Sequence, residues 1–246
     1  MQTKQSNVTL CALSVMAFVT ACVAHEAIGH GLACLATGGK VTLLTSVYFR
    51  CHPSVPFVDA AGPLMNLVAA GLSALAVRRC SQSSHARVFW ALLLAFSGLW
   101  GAGYSIYSAI ADTGDLAFVL RDLSLEPKWI WRIFLGISGI VLYRLIISNA
   151  RDFLPRDRPL YLAYFSAVAV ACISVLFYQG PILPALKVAA LESAVAPIGL
   201  LLSGSRQKVM IPSDDPGFPA SRIILALSVF ITVIFWLTMG RGIYGS

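Results

Sequence analysis

Long apolar runs separated by short polar connectors divide the chain into seven segments. Each run has about the 20 residues that a helix needs to cross a bilayer, and no connector is long enough for a soluble domain. The pattern predicts an all-α polytopic membrane protein with six or seven transmembrane helices. The sixth run is the weakest, because Lys187 and Glu192 interrupt it. The runs cover residues 8–37, 56–77, 88–111, 129–149, 159–178, 182–203 and 221–240.

The connector after the first run differs from the others. Residues 41–49 are rich in β-branched and aromatic side chains, Gly38 and Gly39 precede them, and Pro53 follows. This composition predicts a short hairpin or extended segment. The segment must lie at the interface or against protein, because single strands do not survive in hydrocarbon. We predict a single membrane domain over residues 1–246, with a core at about 8–120 and additional helices at about 129–240.

Composition supports the same class of protein. Apolar residues make up 58% of the chain and charged residues only 12%, whereas soluble domains average about 25% charged residues. The net charge is +7, but the basic residues lie between apolar runs and form no stripe interleaved with aromatics, which argues against nucleic-acid binding. We expect an integral, multi-pass protein of the cell or inner membrane whose surroundings are the lipid bilayer.

The basic residues also predict an orientation. Cytoplasmic loops of membrane proteins carry an excess of Lys and Arg, and seven spans with a cytoplasmic N-terminus place ten such residues inside and six outside. The ten are Lys4, Arg78, Arg79, Arg87, Arg151, Arg156, Arg158, Arg206, Lys208 and Arg222. The six are Lys40, Arg50, Arg121, Lys128, Arg132 and Arg241.

The six cysteines suggest no disulfide framework. The chain contains no C-x-x-C pair, and four of the cysteines lie within apolar runs, where cysteine behaves as a small hydrophobic residue. The cysteines are Cys11, Cys22, Cys34, Cys51, Cys80 and Cys172.

The candidate chemistry is concentrated in the first apolar run, which contains His25-Glu26-Ala27-Ile28-Gly29-His30. Ionisable side chains inside a membrane span are expensive and indicate function. Histidine and carboxylate side chains are the ligands and bases of hydrolytic zinc sites. The segment therefore predicts a metal site within the membrane.

The spacing of the two histidines allows two arrangements. Residues five apart differ by about 140° around a regular helix, and residues four apart by about 40°. A π-type bulge would bring His25 and His30 together, with Gly29 easing the distortion, and would leave Glu26 free as a general base. Alternatively, Glu26 and His30 form the pair on one helix face, and His25 contacts this pair without binding the metal itself.

The order of motifs resembles that of the site-2 protease family of intramembrane zinc metalloproteases. A His-Glu motif in the first span, Gly38-Gly39, a β-like segment and Ala61-Gly62-Pro63-Leu64-Met65-Asn66 at the opening of the next span carry the resemblance, over roughly residues 20–120. The H-E-x-x-x-H spacing is one residue longer than the family's H-E-x-x-H.

The resemblance implies a ligand set and an activity. His25, His30 and an aspartate near a later span would hold Zn²⁺, and Asp115 is the preferred aspartate, with Asp112 as the alternative. Glu26 would be the general base. Asn66 would orient a substrate backbone or hydrogen-bond a ligand, unless it is only a polar residue near a helix start. The implied function is hydrolysis of peptide bonds in a membrane-protein or peptide substrate, in or next to the membrane.

Two other functions fit the same residues. The ionisable side chains could form a proton or ion relay, which would need no stoichiometric metal. The protein could also bind zinc as a non-proteolytic membrane scaffold.

Overall fold

The computed structural model describes residues 7–81, 84–154, 160–204 and 220–245. Within these ranges, six helices are long and apolar enough to cross a membrane, and one small sheet accompanies them. The predicted all-α polytopic fold is therefore confirmed. Five of the basic residues used to predict the orientation lie outside the described residues, namely Lys4, Arg156, Arg158, Arg206 and Lys208.

The helices follow the apolar runs closely. Among the described residues, the helix of the fifth run is the shortest in a predicted span, with 16 residues, and the helix of the sixth run is long and apolar enough to cross a membrane. The helices are α1 (Asn7–Ala36), α2 (Pro56–Arg79), α3 (His85–Ala111), the short α4 (Asp115–Asp122), α5 (Lys128–Arg151), α6 (Leu160–Val175), α7 (Ile182–Leu202) and α8 (Arg222–Gly240). The strands are β1 (Lys40–Leu44), β2 (Phe49–His52) and β3 (Ile243–Tyr244).

Helix α1 lies in the middle of the bundle. It packs against α3, α6 and α8, and its π-helical part packs against α2. Phe18 of α1 stacks on Trp100 of α3, with ring centroids 5.8 Å apart, and meets Phe96 edge-on. Most of α1 and α3 is buried, whereas α5 is largely exposed. The chemistry in α1 is thus enclosed by protein, and the outer helices supply the apolar surface that faces lipid.

The segment after α1 forms the predicted hairpin and gains a third strand. Strands β1 and β2 pair antiparallel, and β3, from the end of the chain, pairs with the other edge of β1. A disulfide joins Cys34, near the end of α1, to Cys51 in β2. The expectation that the cysteines form no disulfides is therefore wrong for this pair, and Cys34 does not serve only as a small hydrophobic residue, because the hairpin turns back over the helix end. The other four cysteines are free thiols.

Helix α2 begins earlier than the motif at residues 61–66 suggests. Pro56 occupies its first turn, where a missing N–H is tolerated, and Pro63 lies in the helix interior. The interpretation of Asn66 as a residue near the helix start is wrong, because it lies almost three turns into the helix and is fully buried.

Candidate metal centre

The segment that carries the histidines is π-helical. Residues Ala24–Gly31 form a π-helix inside α1, and the wider turn of a π-helix aligns residues five apart. The two imidazole rings consequently lie next to each other and meet edge-on, with centroids 4.9 Å apart. Of the two arrangements that the spacing allows, the bulge is the one the helix adopts.

Three atoms that could bind a metal ion lie close together beside this segment. The Nε2 atoms of His25 and His30 are 3.3 Å apart. Asp115 Oδ2 lies 3.2 Å from His25 Nε2 and 3.5 Å from His30 Nε2. Both imidazoles are buried, and the aspartate side chain is 18% exposed. This group of three side chains could hold a metal ion.

Asp115 reaches the site from a tight turn between α3 and α4. Asp112 ends α3 in the left-handed conformation, and Gly114 has φ 90° and ψ 172°, a region that is essentially restricted to glycine. Burial raises the pKa of the Asp115 carboxyl, but hydrogen bonds with His25 and His30 outweigh burial and hold that pKa below its usual range.

The far side of each imidazole is also held. His30 Nδ1–H donates to the backbone carbonyl of Val58 at 2.7 Å. The side-chain amide of Asn66 lies 3.1 Å from His25 Nδ1. Because each Nδ1 has its own partner, each Nε2 is aimed at the shared point. Asn66 thus contacts a candidate ligand, one of the roles that its position in the motif suggested.

Aromatic rings fix the planes of both imidazoles. The His25 ring stacks on Trp100, with centroids 4.9 Å apart, and meets Tyr104 edge-on. The His30 ring stacks on Phe49 of β2 at 5.3 Å. These rings were not assigned to the site from the sequence. The spacing of Trp100 and Tyr104, four residues apart on one helix face, is the signal that could have identified that pair.

Two glycines let α1 and α2 approach closely at this point. A Cβ on Gly29 would lie 2.7 Å from the carbonyl oxygen of Ala61, and a Cβ on Gly62 would overlap His30 Nε2 and lie 2.8 Å from His25 Nε2. A side chain at position 62 would therefore occupy the space in front of the two donor nitrogens.

Glu26 lies beside the group and is buried. Its Oε2 atom has no hydrogen-bond partner among the described residues, and its carboxyl interacts electrostatically with His30 and Asp115. A buried carboxyl oxygen without a partner is costly unless a water or substrate group completes it.

Two further acidic residues have partners outside the group of three ligand atoms. Asp112, the alternative ligand, has a side chain that is 62% exposed and pairs with Arg132. Glu192 is buried in a π-helical part of α7 and accepts a hydrogen bond from Tyr104 at 3.0 Å, while Lys187 is exposed. The sequence signal for Glu192 is its isolation, because it is the only acidic residue in the sixth apolar run.

Comparisons with known proteins add no assignment: no family model, curated protein or solved structure matches this chain. The resemblance to site-2 proteases consequently rests on the order of motifs along the sequence.

Proposed function

We propose that this protein is an intramembrane zinc metalloprotease of the site-2 protease type, which hydrolyses peptide bonds in or next to the cell or inner membrane. The observation that carries the proposal is the mutual spacing of three donor atoms, 3.2, 3.3 and 3.5 Å. Ligands about 2.0–2.1 Å from a tetrahedral zinc ion lie about 3.3–3.4 Å from one another. Two imidazoles and one carboxylate also form a ligand set that suits zinc.

The hydrogen bonds around the histidines support a cation site. The Val58 carbonyl holds the proton of a neutral His30 on Nδ1, which leaves the Nε2 lone pair free. Asn66 Oδ1 is buried without a hydrogen-bond partner among the described residues. Turning this amide over would let it accept from His25 Nδ1–H, and would free the second Nε2 lone pair as well.

Three protein ligands are typical of a catalytic zinc site, because the fourth position stays open for water or substrate. When bound, zinc supplies a water whose pKa is lowered to about 7 and polarises the scissile carbonyl. Glu26 accepts the proton that the attacking water loses and passes it to the leaving amine nitrogen. Its buried, unpartnered Oε2 is the atom available for this transfer.

The test compares Glu26→Gln with wild type in proteoliposomes. Zinc content is measured by mass spectrometry, and cleavage is measured on a set of fluorescently labelled single-span membrane proteins. We expect Glu26→Gln to keep its zinc and to lose at least about a hundredfold in cleavage rate, the contribution of a general base. Glu126→Gln, which neutralises an exposed carboxylate outside the site, should cleave as wild type does.

Other outcomes separate the competing functions. Undiminished cleavage by Glu26→Gln would refute the general-base role. Wild-type protein that holds zinc and cleaves none of the substrates would favour a metal-binding scaffold. Wild-type protein without zinc, with ion or proton flux that depends on His25 and Glu26, would favour a relay.

A further inference from the structure

Arg132 of α5 forms hydrogen bonds with the end of α3, next to the turn that positions Asp115. Arg132 Nε donates to the carbonyl of Ala109 at 2.8 Å, and Nη2 donates to the carbonyl of Ile110 at 2.9 Å. Its Nη1 lies 3.7 Å from Asp112 Oδ2. A single guanidinium group therefore contacts the last turn of α3 and the first residue beyond it.

These contacts suit the end of a helix. The last carbonyls of a helix have no partners within it, and a cation there also interacts favourably with the helix dipole. The planar guanidinium can donate to two carbonyls at once, which an ammonium group on a flexible stem does not reproduce. Arg132 therefore satisfies two of the last carbonyls of α3 at the point where the turn begins.

Helix α5 is placed so that Arg132 can reach this turn. Gly136 and Gly139 lie one and two turns further along α5, on the same face. A Cβ on Gly139 would come within 3.0 Å of the Ala102 carbonyl oxygen, and a Cβ on Gly136 would meet the Ala109 side chain at 3.4 Å. The close approach of α5 to α3 therefore depends on Gly139, whereas a methyl group at Gly136 would make an ordinary contact. This approach brings the guanidinium of Arg132 to the turn.

We propose that Arg132 is a positioning residue of the metal centre, which acts by fixing the turn from which Asp115 reaches the two histidines. The inference rests on the metal site of the proposed function and does not require proteolysis. Asp115 is three residues beyond Asp112, and the turn between them contains two residues with positive φ, Asp112 and Gly114. A shift of the C-terminal end of α3 would therefore move this short turn and, with it, the Asp115 carboxylate.

The experiment measures zinc affinity of the full-length protein in detergent by competition with a chelator of known affinity. We expect Arg132→Ala to weaken zinc binding about tenfold, the lower end of the loss on removing a group that contacts a metal ligand, because Arg132 acts on Asp115 only through the turn. Arg132→Lys should recover only a minor part of this loss. Lys128→Ala, one turn away in an exposed ion pair, should bind zinc within about twofold of wild type, because exposed ion pairs contribute little.

A double-mutant cycle tests whether Arg132 acts through Asp115. Asp115→Ala alone should weaken zinc binding, and adding Arg132→Ala should cause no further loss, because the contact it supports is already gone. Fully additive losses would overturn the inference, as would Arg132→Ala with wild-type affinity. If Arg132→Ala fails to fold, Arg132→Lys and Asp112→Asn enter the same cycle with the same criteria.

The outcomes also separate this inference from the proposed function. Wild-type protein that binds no zinc would overturn both. Wild-type protein that binds zinc but cleaves no substrate would overturn proteolysis alone, and the cycle would still decide the role of Arg132.

Discussion

At the scale of single residues, Gly62 decides whether a cation fits between the histidines. A Cβ at this position would overlap His30 Nε2 and crowd His25 Nε2. We expect Gly62→Ala to weaken zinc binding by more than about tenfold, because the added methyl group displaces the donor atoms from their common point. Zinc content after dialysis and affinity by chelator competition measure the effect.

Gly71→Ala is the matched control for this prediction. Gly71 lies in the same helix, and a Cβ there meets no heavy atom within 4 Å in the part of the chain that the structure describes. Alanine is also the better helix former, so Gly71→Ala should bind zinc normally and unfold at the same or a higher temperature. Equal zinc affinity in the two variants would contradict the role assigned to Gly62.

The candidate ligands could be predicted residue by residue, but their surroundings could not. His25, Glu26 and His30 stand out because ionisable side chains are rare inside an apolar run. The contacts of His30 with the Val58 carbonyl and of His25 with Trp100 depend on how helices and strands pack. A backbone carbonyl carries no sequence signal for such a role, and the spacing of Trp100 and Tyr104 indicates only that they share a helix face, not that they pack on a histidine.

At the scale of elements, the π-helix at Ala24–Gly31 compensates for one extra residue between the histidines. Ile28, which is 40% exposed, contributes little to the core. Deleting Ile28 should convert the segment to a regular α-helix with the H-E-x-x-H spacing, in which the histidines are about 40° apart. We expect the zinc affinity of the deletion variant to stay within about tenfold of wild type, as measured by chelator competition.

An insertion provides the opposite change. One alanine added after Ile28 rotates His30 by about a further 100°, and the π-helix has no second wide turn with which to absorb it. This variant should lose zinc binding. If the deletion abolishes binding as completely as the insertion, the π-helix does more than compensate for spacing, and its assigned role is wrong.

The bounds of the helices and the hairpin followed from the sequence, whereas the contacts that join elements distant along the chain did not. Apolar runs fix helix lengths locally, and residues 41–49 have the composition of strands. Strand β3 is only two residues long and pairs with a segment about 200 residues earlier. The Cys34–Cys51 bond likewise depends on the hairpin folding back over α1, and spacing alone does not predict that.

At the scale of the whole molecule, the sheet constrains the number of membrane crossings. Strand β1 follows α1 and pairs with β3, which follows α8. Both helix ends therefore lie on the same side, so the helices between β1 and β3 must cross an even number of times. That condition requires α6 to cross along with α2, α3, α5, α7 and α8, although its 16 residues span only about 24 Å. The sheet therefore favours seven crossings over six.

The disulfide and the basic residues agree on which side the sheet faces. Disulfides persist in oxidising compartments and are rare in the cytosol, which places Cys34–Cys51 and the sheet outside. The excess of basic residues on the opposite side favours a cytoplasmic N-terminus, the same orientation. We therefore predict that Cys80, at the end of α2, faces the cytoplasm and that the metal centre lies in the outer half of the membrane.

Labelling of right-side-out vesicles with a membrane-impermeant maleimide tests this orientation. Cys51 should be labelled only after treatment with an impermeant reductant, because its thiol is held in the disulfide. Cys80 should be labelled only after the vesicles are permeabilised, and Cys80→Ser should abolish that signal. Labelling of Cys80 in sealed vesicles, with Cys51 protected even after reduction, would reverse the orientation. The candidate metal centre would then lie in the cytoplasmic half of the membrane.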